Sequence, residues 1–216
     1  MAVESMTLAP FYAGTRNPYN YAKIEQVSRD VATQWLTLDE ITNQLNMFDD
    51  ESQDGYLQML ELATRMAIED YLGMAIFATQ YRVFYGNMGG YDSQVFLDLP
   101  ETTGGVTVNS VEVYTTSNTV PVVIANSGYS YDPTGNRVIL NDVPNEINQS
   151  IVNPIIVTYT QNASDIATYP VVKQAGLMLL THFYSQRSTV GDTVGFKAEV
   201  PFGVSTLLRP YKPLVM

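Results

Sequence analysis

The chain has 216 residues, 22 acidic and 11 basic, for a formal net charge of −11, and no cysteine. That length suits one or two small domains with a buried core, and the missing cysteines exclude disulfides, thiol nucleophiles and cysteine-ligated zinc. The acid excess opposes a sequence-independent grip on nucleic acid, which needs clustered Lys and Arg; it fits a wall that repels DNA, and equally simple solubility.

Residues 1–34 are rich in Tyr, Asn and Thr, with Pro10 and Pro18 and little periodicity. They read as an extended arm with one short strand near residues 24–31, either disordered or ordered on assembly. Thr37 with Glu40 forms a capping box that opens a short helix over 38–46. A second helix spans 53–72. Tyr56, Met59, Leu60, Ala63, Met66, Ala67 and Tyr71 recur at three- and four-residue spacing and predict its apolar face. Leu57, Ile68 and Leu72 widen the stripe, so the helix is expected to pack on more than one side. Gly73 is a natural C-cap.

From residue 79 to residue 160 the pattern changes to short runs of Val, Ile, Tyr and Thr. Seven strands are expected, at 81–85, 95–97, 106–114, 120–124, 129–131, 137–140 and 155–159. Turn signals separate them, including Gly89-Gly90, Gly104-Gly105, Ser117-Asn118 and Asn141-Asp142. This predicts an antiparallel sandwich or barrel. Pro170 then opens a helix over 171–187 that is apolar on nearly every face. The fold class is α+β: two N-terminal helices and a long C-terminal helix form a body (35–78 and 168–216) into which a β domain (79–167) is inserted.

The last helix suits a closed ring, in which heterologous neighbours cover both sides. Ala175, Gly176, Leu179 and Phe183 are its expected packing positions; the alternative is a core helix inside one subunit. Residues 188–195 read as a hinge. After it, Pro201, Phe202, Val204, Leu207, Leu208, Arg209 and Tyr211 form a short tail that either docks on a neighbour or folds back on its own subunit.

Two other chemistries are legible. Asp50, Ser52, Asp54, Gly55 and Glu61 fit the spacing of a calcium loop, and also an acidic helix N-terminus. The tyrosine-rich strands fit a carbohydrate-binding module, and also an aromatic core. For catalysis the signals are poor. The one histidine, His182, sits in the apolar helix, and no nucleophile elbow or phosphate loop accompanies it. No enzyme and no cofactor are therefore expected, and no apolar run is long enough to span a bilayer.

Three segments in order carry a family resemblance: Leu36-Thr37-Leu38-Asp39-Glu40-Ile41 through Leu60–Gly73; the strand Ile155-Ile156-Val157-Thr158-Tyr159; and Pro170 through His182-Phe183-Tyr184 to Pro201-Phe202-Gly203-Val204 and Leu207-Leu208-Arg209-Pro210-Tyr211. Over residues 36–211 the chain resembles the head–tail connector (adaptor, or head-completion) proteins of tailed bacteriophages. The resemblance implies a structural virion protein at the head–tail interface, assembled in the host cytoplasm. It implies a homo-oligomeric ring, twelve-fold like the portal beneath it, that meets portal and tail or tail-nozzle proteins. Such a ring extends the DNA channel, passes DNA without specific binding, and helps retain the packaged genome. The large β domain and long arm depart from many members, and the resemblance assigns them no role.

Overall fold

The computed structural model describes residues 20–47, 51–86, 95–100, 105–116, 120–141, 147–148, 150–186 and 201–212. Most of the arm (1–19), Asp50, the hinge (188–195) and the turn signals at Gly89-Gly90, Gly104, Ser117-Asn118 and Asp142 lie outside these residues. The described parts mix helices with antiparallel sheets. The chain divides into two compact units: Met1–Ser28 with Thr79–Asn162, and Arg29–Ala78 with Ala163–Met216.

The first unit is built of strands. All seven expected runs form strands: β2 (Thr79–Tyr85), β3 (Val95–Asp98), β4 (Val106–Val113), β5 (Val122–Val123), β6 (Tyr129–Asp132), β7 (Arg137–Leu140) and β8 (Ile155–Gln161). They follow β1 (Tyr21–Arg29), which is the strand expected in the arm, longer than its sequence signal. One sheet has the order β1-β2-β8-β4-β5 and the other β3-β7-β6. β8 is central and buried at six of seven positions, as its unbroken apolar and Tyr/Thr run requires. It pairs antiparallel with β2 and with β4, where the register shifts between Val108 and Ser110. Both sheets feed one core, including Val83, Leu97, Val111, Leu140 and Val157. The Tyr85 hydroxyl donates to the Asp98 carbonyl at 2.8 Å, tying β2 to β3.

The second unit is helical: α1 (Leu38–Leu45), α2 (Asp54–Leu72), α3 (Pro170–Ser185) and α4 (Phe202–Leu208), the last ending in a 3-10 turn at Arg209–Tyr211. The capping box of α1 is present. The Thr37 hydroxyl accepts from the Glu40 N–H at 3.2 Å, and the Glu40 carboxylate accepts from the Thr37 N–H at 2.9 Å. Gly73 closes α2 in the left-handed conformation (φ 73°), where a side chain would be strained. Pro170 occupies the first turn of α3, where its missing N–H costs nothing. Ile41, Leu57, Ile68, Leu72, Val172, Leu179, Val204 and Leu208 build the core of this unit, with Trp35 and Leu36.

The orientation of α2 differs from the sequence expectation. Its period is as expected, but Met59 is 74% exposed, and Tyr56, Ala63 and Met66 also face out. The buried face carries Leu57, Glu61, Thr64, Arg65, Ile68, Glu69 and Leu72. Leu60, Ala67 and Tyr71 flank the core, half-buried. Polar residues turn inward because the irregular segments beside α2 have backbone groups that need partners. Glu61 accepts from the N–H groups of Trp35 (2.9 Å) and Leu36 (3.3 Å). Arg65, with no exposed surface, donates to the carbonyls of Thr33 (2.7 Å) and Asp30, and stacks on Phe77 at 4.5 Å. Glu69 accepts from Ile76 (2.8 Å) and Phe77 (3.2 Å) and faces Arg29 at 3.6 Å.

Candidate functional site

The four α3 positions expected to pack a ring fall mostly inside the subunit. Ala175, Gly176 and Leu179 are buried in the helical core, and Phe183 packs half-buried against it. Gly176 does permit a close approach, but the neighbour is Trp35 of the same chain. A Cβ at position 176 would stand 2.6 Å from the indole ring. That ring is fixed by its own N–H, which donates to the Ala167 carbonyl at 2.9 Å. Arg187, at the expected end of the helix, lies outside the described residues. The outward stripe of α3 is instead Val171, Gln174 and Met178.

The tail is also divided. It is helical rather than extended, because Val204 and Leu208 sit one turn apart and both insert fully into the core. Leu207 is half-buried. The Tyr211 ring meets Tyr169 edge-on at 5.8 Å, and Lys212 lies over the Tyr71 ring at 4.4 Å. The Tyr71 hydroxyl reaches the Ser205 carbonyl at 3.4 Å. The tail is thus seated on its own subunit. What it offers outward is Phe202, 86% exposed, with exposed Arg209 and half-exposed Pro201 and Tyr211.

The calcium-loop reading fails on geometry. A calcium loop must wrap through its first nine positions. Here α2 already begins at Asp54, so residues 54–61 lie within one α-helix. Ser52 lies in the 3-10 turn Glu51–Gln53 before it. The Glu61 carboxylate is taken by two backbone N–H groups. Among the described residues no three His, Asp or Glu side chains converge as metal ligands.

The tyrosines of the β unit do not form an open sugar platform where they are most concentrated. Tyr85 and Tyr159 are buried, and Tyr159 stacks on Tyr81 at 5.6 Å. Burial pushes both buried hydroxyls well above the usual phenol range. His182 is half-buried in the last turn of α3.

Three comparisons with known proteins bear on this arrangement. The sequence model described as "Head completion protein" matches residues 34–214. No curated protein matches in sequence. Among solved structures, a chain from the neck of an empty GTA particle computed with C6 symmetry is 19% identical. It has a TM-score of 0.57, with 89% of this chain and 96% of that chain covered. A chain from the virion of a native gene transfer agent (GTA) particle is 17% identical, with a TM-score of 0.55 over 89% and 96%. One from the neck of a native GTA particle computed with C12 symmetry is 18% identical, with a TM-score of 0.54 over the same shares. At such identities these likenesses speak to the fold, whereas the family model spans most of the sequence, from the segment before α1 past the tail. The chain belongs to the head completion protein family.

Proposed function

We propose that this protein is a head–tail adaptor: a structural virion component that forms a homo-oligomeric ring between portal and tail. The observation that carries this reading is the match to the head completion family over residues 34–214. Chains of similar fold in particle necks computed with C6 and C12 symmetry support a ring, with twelve copies the favoured count. The ring extends the DNA channel beyond the capsid vertex and helps retain the genome. Its net charge of −11 suits a channel that passes DNA without gripping it.

In this reading the helical unit is the ring body and the inserted β unit is a sandwich-like appendage. The outward part of the tail, Phe202 with Pro201, Arg209 and Tyr211, contacts a neighbour or the portal. The buried part, Val204 and Leu208 with half-buried Leu207, holds that display in place. Aromatic and Arg side chains are the usual anchors of such contacts.

Native mass spectrometry and negative-stain images of the purified protein, alone and with its portal, test the proposal. A closed ring is expected, at the latest when the portal is present. A strict monomer that never joins the portal overturns it.

A further inference from the structure

Glu61 is only 4% exposed, yet its carboxylate is only partly used. Both N–H groups that it serves, those of Trp35 and Leu36, donate to Oε1. Oε2 has no partner among the described residues, and it is not sealed inside the core. Glu61 lines a cleft of about 370 Å³ between the first half of α2 and the irregular segment before α1. It is the one buried residue among those lining it, so the anion lies deepest. Val31, Met59 and Leu62 form apolar walls, and Gln34 and Gln58 add exposed amides. A carboxylate beneath apolar walls complements an alkyl stem that ends in a cation, as Arg and Lys side chains do.

The opposite end of α2 carries the tail. The Tyr71 hydroxyl reaches the Ser205 carbonyl, and Lys212 lies over the Tyr71 ring, about 15 Å along the helix axis from Glu61. Beside them Arg209 is exposed, and its guanidinium has no partner among the described residues. The other described cations of this unit are engaged: Arg29 with Glu69 and Asp70, Arg65 with two carbonyls, Lys173 with Glu40, and Lys212 with Tyr71.

We infer that the Glu61 cleft of one subunit receives the Arg209 side chain of a second copy of this chain. The inference rests on the ring reading and names a contact that closes the ring. A cyclic ring joins two different patches on each subunit, and an anionic cleft near one end of α2 with a free cation near the other supplies such a pair. Copies that each carry a formal charge of −11 repel one another, so a local contact of opposite charges selects where they meet. Folding has already removed water from Glu61, so pairing strips mainly Arg209. The amide oxygens of Gln34 and Gln58 can accept the guanidinium N–H groups that Oε2 leaves over. The same carboxylate repels phosphate, which removes DNA as the occupant. A metal ion lacks ligands there, since no three His, Asp or Glu side chains converge among the described residues.

Charge reversal tests the pairing. Q58K sets an ammonium in the cleft, and R209E reverses the incoming charge. Both positions are exposed, so each variant should keep the wild-type melting temperature. Each should lower the assembled fraction, read by native mass spectrometry, by about tenfold or more. The double variant Q58K/R209E restores opposite charges and should recover most of the wild-type assembled fraction. A full ring from either single variant, or no recovery in the double, overturns the contact. An R209E ring that forms normally but no longer joins the portal also overturns it and gives Arg209 to the portal instead. Should R209E melt early, R209Q replaces it with the same expected loss, and a full ring from R209Q overturns the contact. Wild-type protein provides the separating control. If it forms no ring alone, with portal or in particles, the ring reading itself fails, whereas a wild-type ring with indifferent variants condemns only this contact.

Discussion

The two units solve burial in opposite ways. In the β unit, burial follows the strand period: β3 and β7 alternate strictly, with Val95, Leu97, Val138 and Leu140 buried and Phe96 exposed between them, and the buried polar residues Thr79, Thr158 and Gln161 carry no charge. In the helical unit, α2 buries Glu61, Thr64, Arg65 and Glu69 and exposes Met59. The β ladders satisfy their own backbone. The helical unit must instead hold irregular segments, residues 30–36 and 76–77, whose backbone groups have no ladder. Side chains of α2 serve as their partners, and apolar residues, Met59 above all, are displaced outward.

The sharpest way to break this contrast is to remove an inward carboxylate. E69A leaves the N–H groups of Ile76 and Phe77 without their acceptor, and leaves the mostly buried Arg29 guanidinium with only the exposed Asp70 carboxylate, 3.8 Å away. A loss of about 3–5 kcal/mol is expected, by analogy with breaking a buried ion pair. Urea unfolding measures it, and a loss below about 1 kcal/mol would make these groups ordinary surface charges. Next in size is G176A. The added methyl gains about 1 kcal/mol in helix propensity but strikes the Trp35 ring, and overpacking costs about 1–3 kcal/mol. A net loss, with altered Trp35 fluorescence, is expected; a net gain would mean that the ring moves aside freely.

The β unit was largely legible because a period of two says which side each residue faces. The seven strand runs at 79–161 emerged from Val, Ile, Tyr and Thr between turn residues. The face of α2 was not legible, because that helix carries apolar residues all round and a 3.6 period alone cannot choose between two stripes. Glu61, Arg65 and Glu69, spaced by four, look like a solvated charge ladder. Their signal was indirect: segments on either side without secondary structure, whose backbone needed partners. The tail showed its apolar residues plainly. The one-turn spacing of Val204 and Leu208 is the signal that seats it on its own core.

Within the β unit the corresponding probe is Y85F. The Tyr85 hydroxyl bonds the Asp98 carbonyl from a fully buried position, joining the two sheets. Its removal leaves a carbonyl unpaired and should cost about 1–1.5 kcal/mol. Hydrogen exchange should quicken in β2 and β3 while the amides of α2 stay unchanged. Faster exchange in both units alike would mean that they unfold as one.

The smallest effect expected is at the start of α1, where the helical unit follows its sequence signal. Glu40 closes the capping box and pairs with Lys173 of α3 at 2.9 Å. The Lys173 hydrogen bond, then the Thr37 N–H, hold the Glu40 carboxyl below its ordinary value. An acid with a lowered folded-state pKa stabilises the fold above its unfolded pKa, and that stability disappears as the pH falls through the folded value. E40Q should therefore cost about 1 kcal/mol or less at pH 7, because the pair is about one-third exposed and screened. The gap between wild type and variant should close as the medium is acidified below the usual carboxylate range. A difference in melting temperature that persists there would assign the stabilisation to packing of the Glu40 stem rather than to its charge.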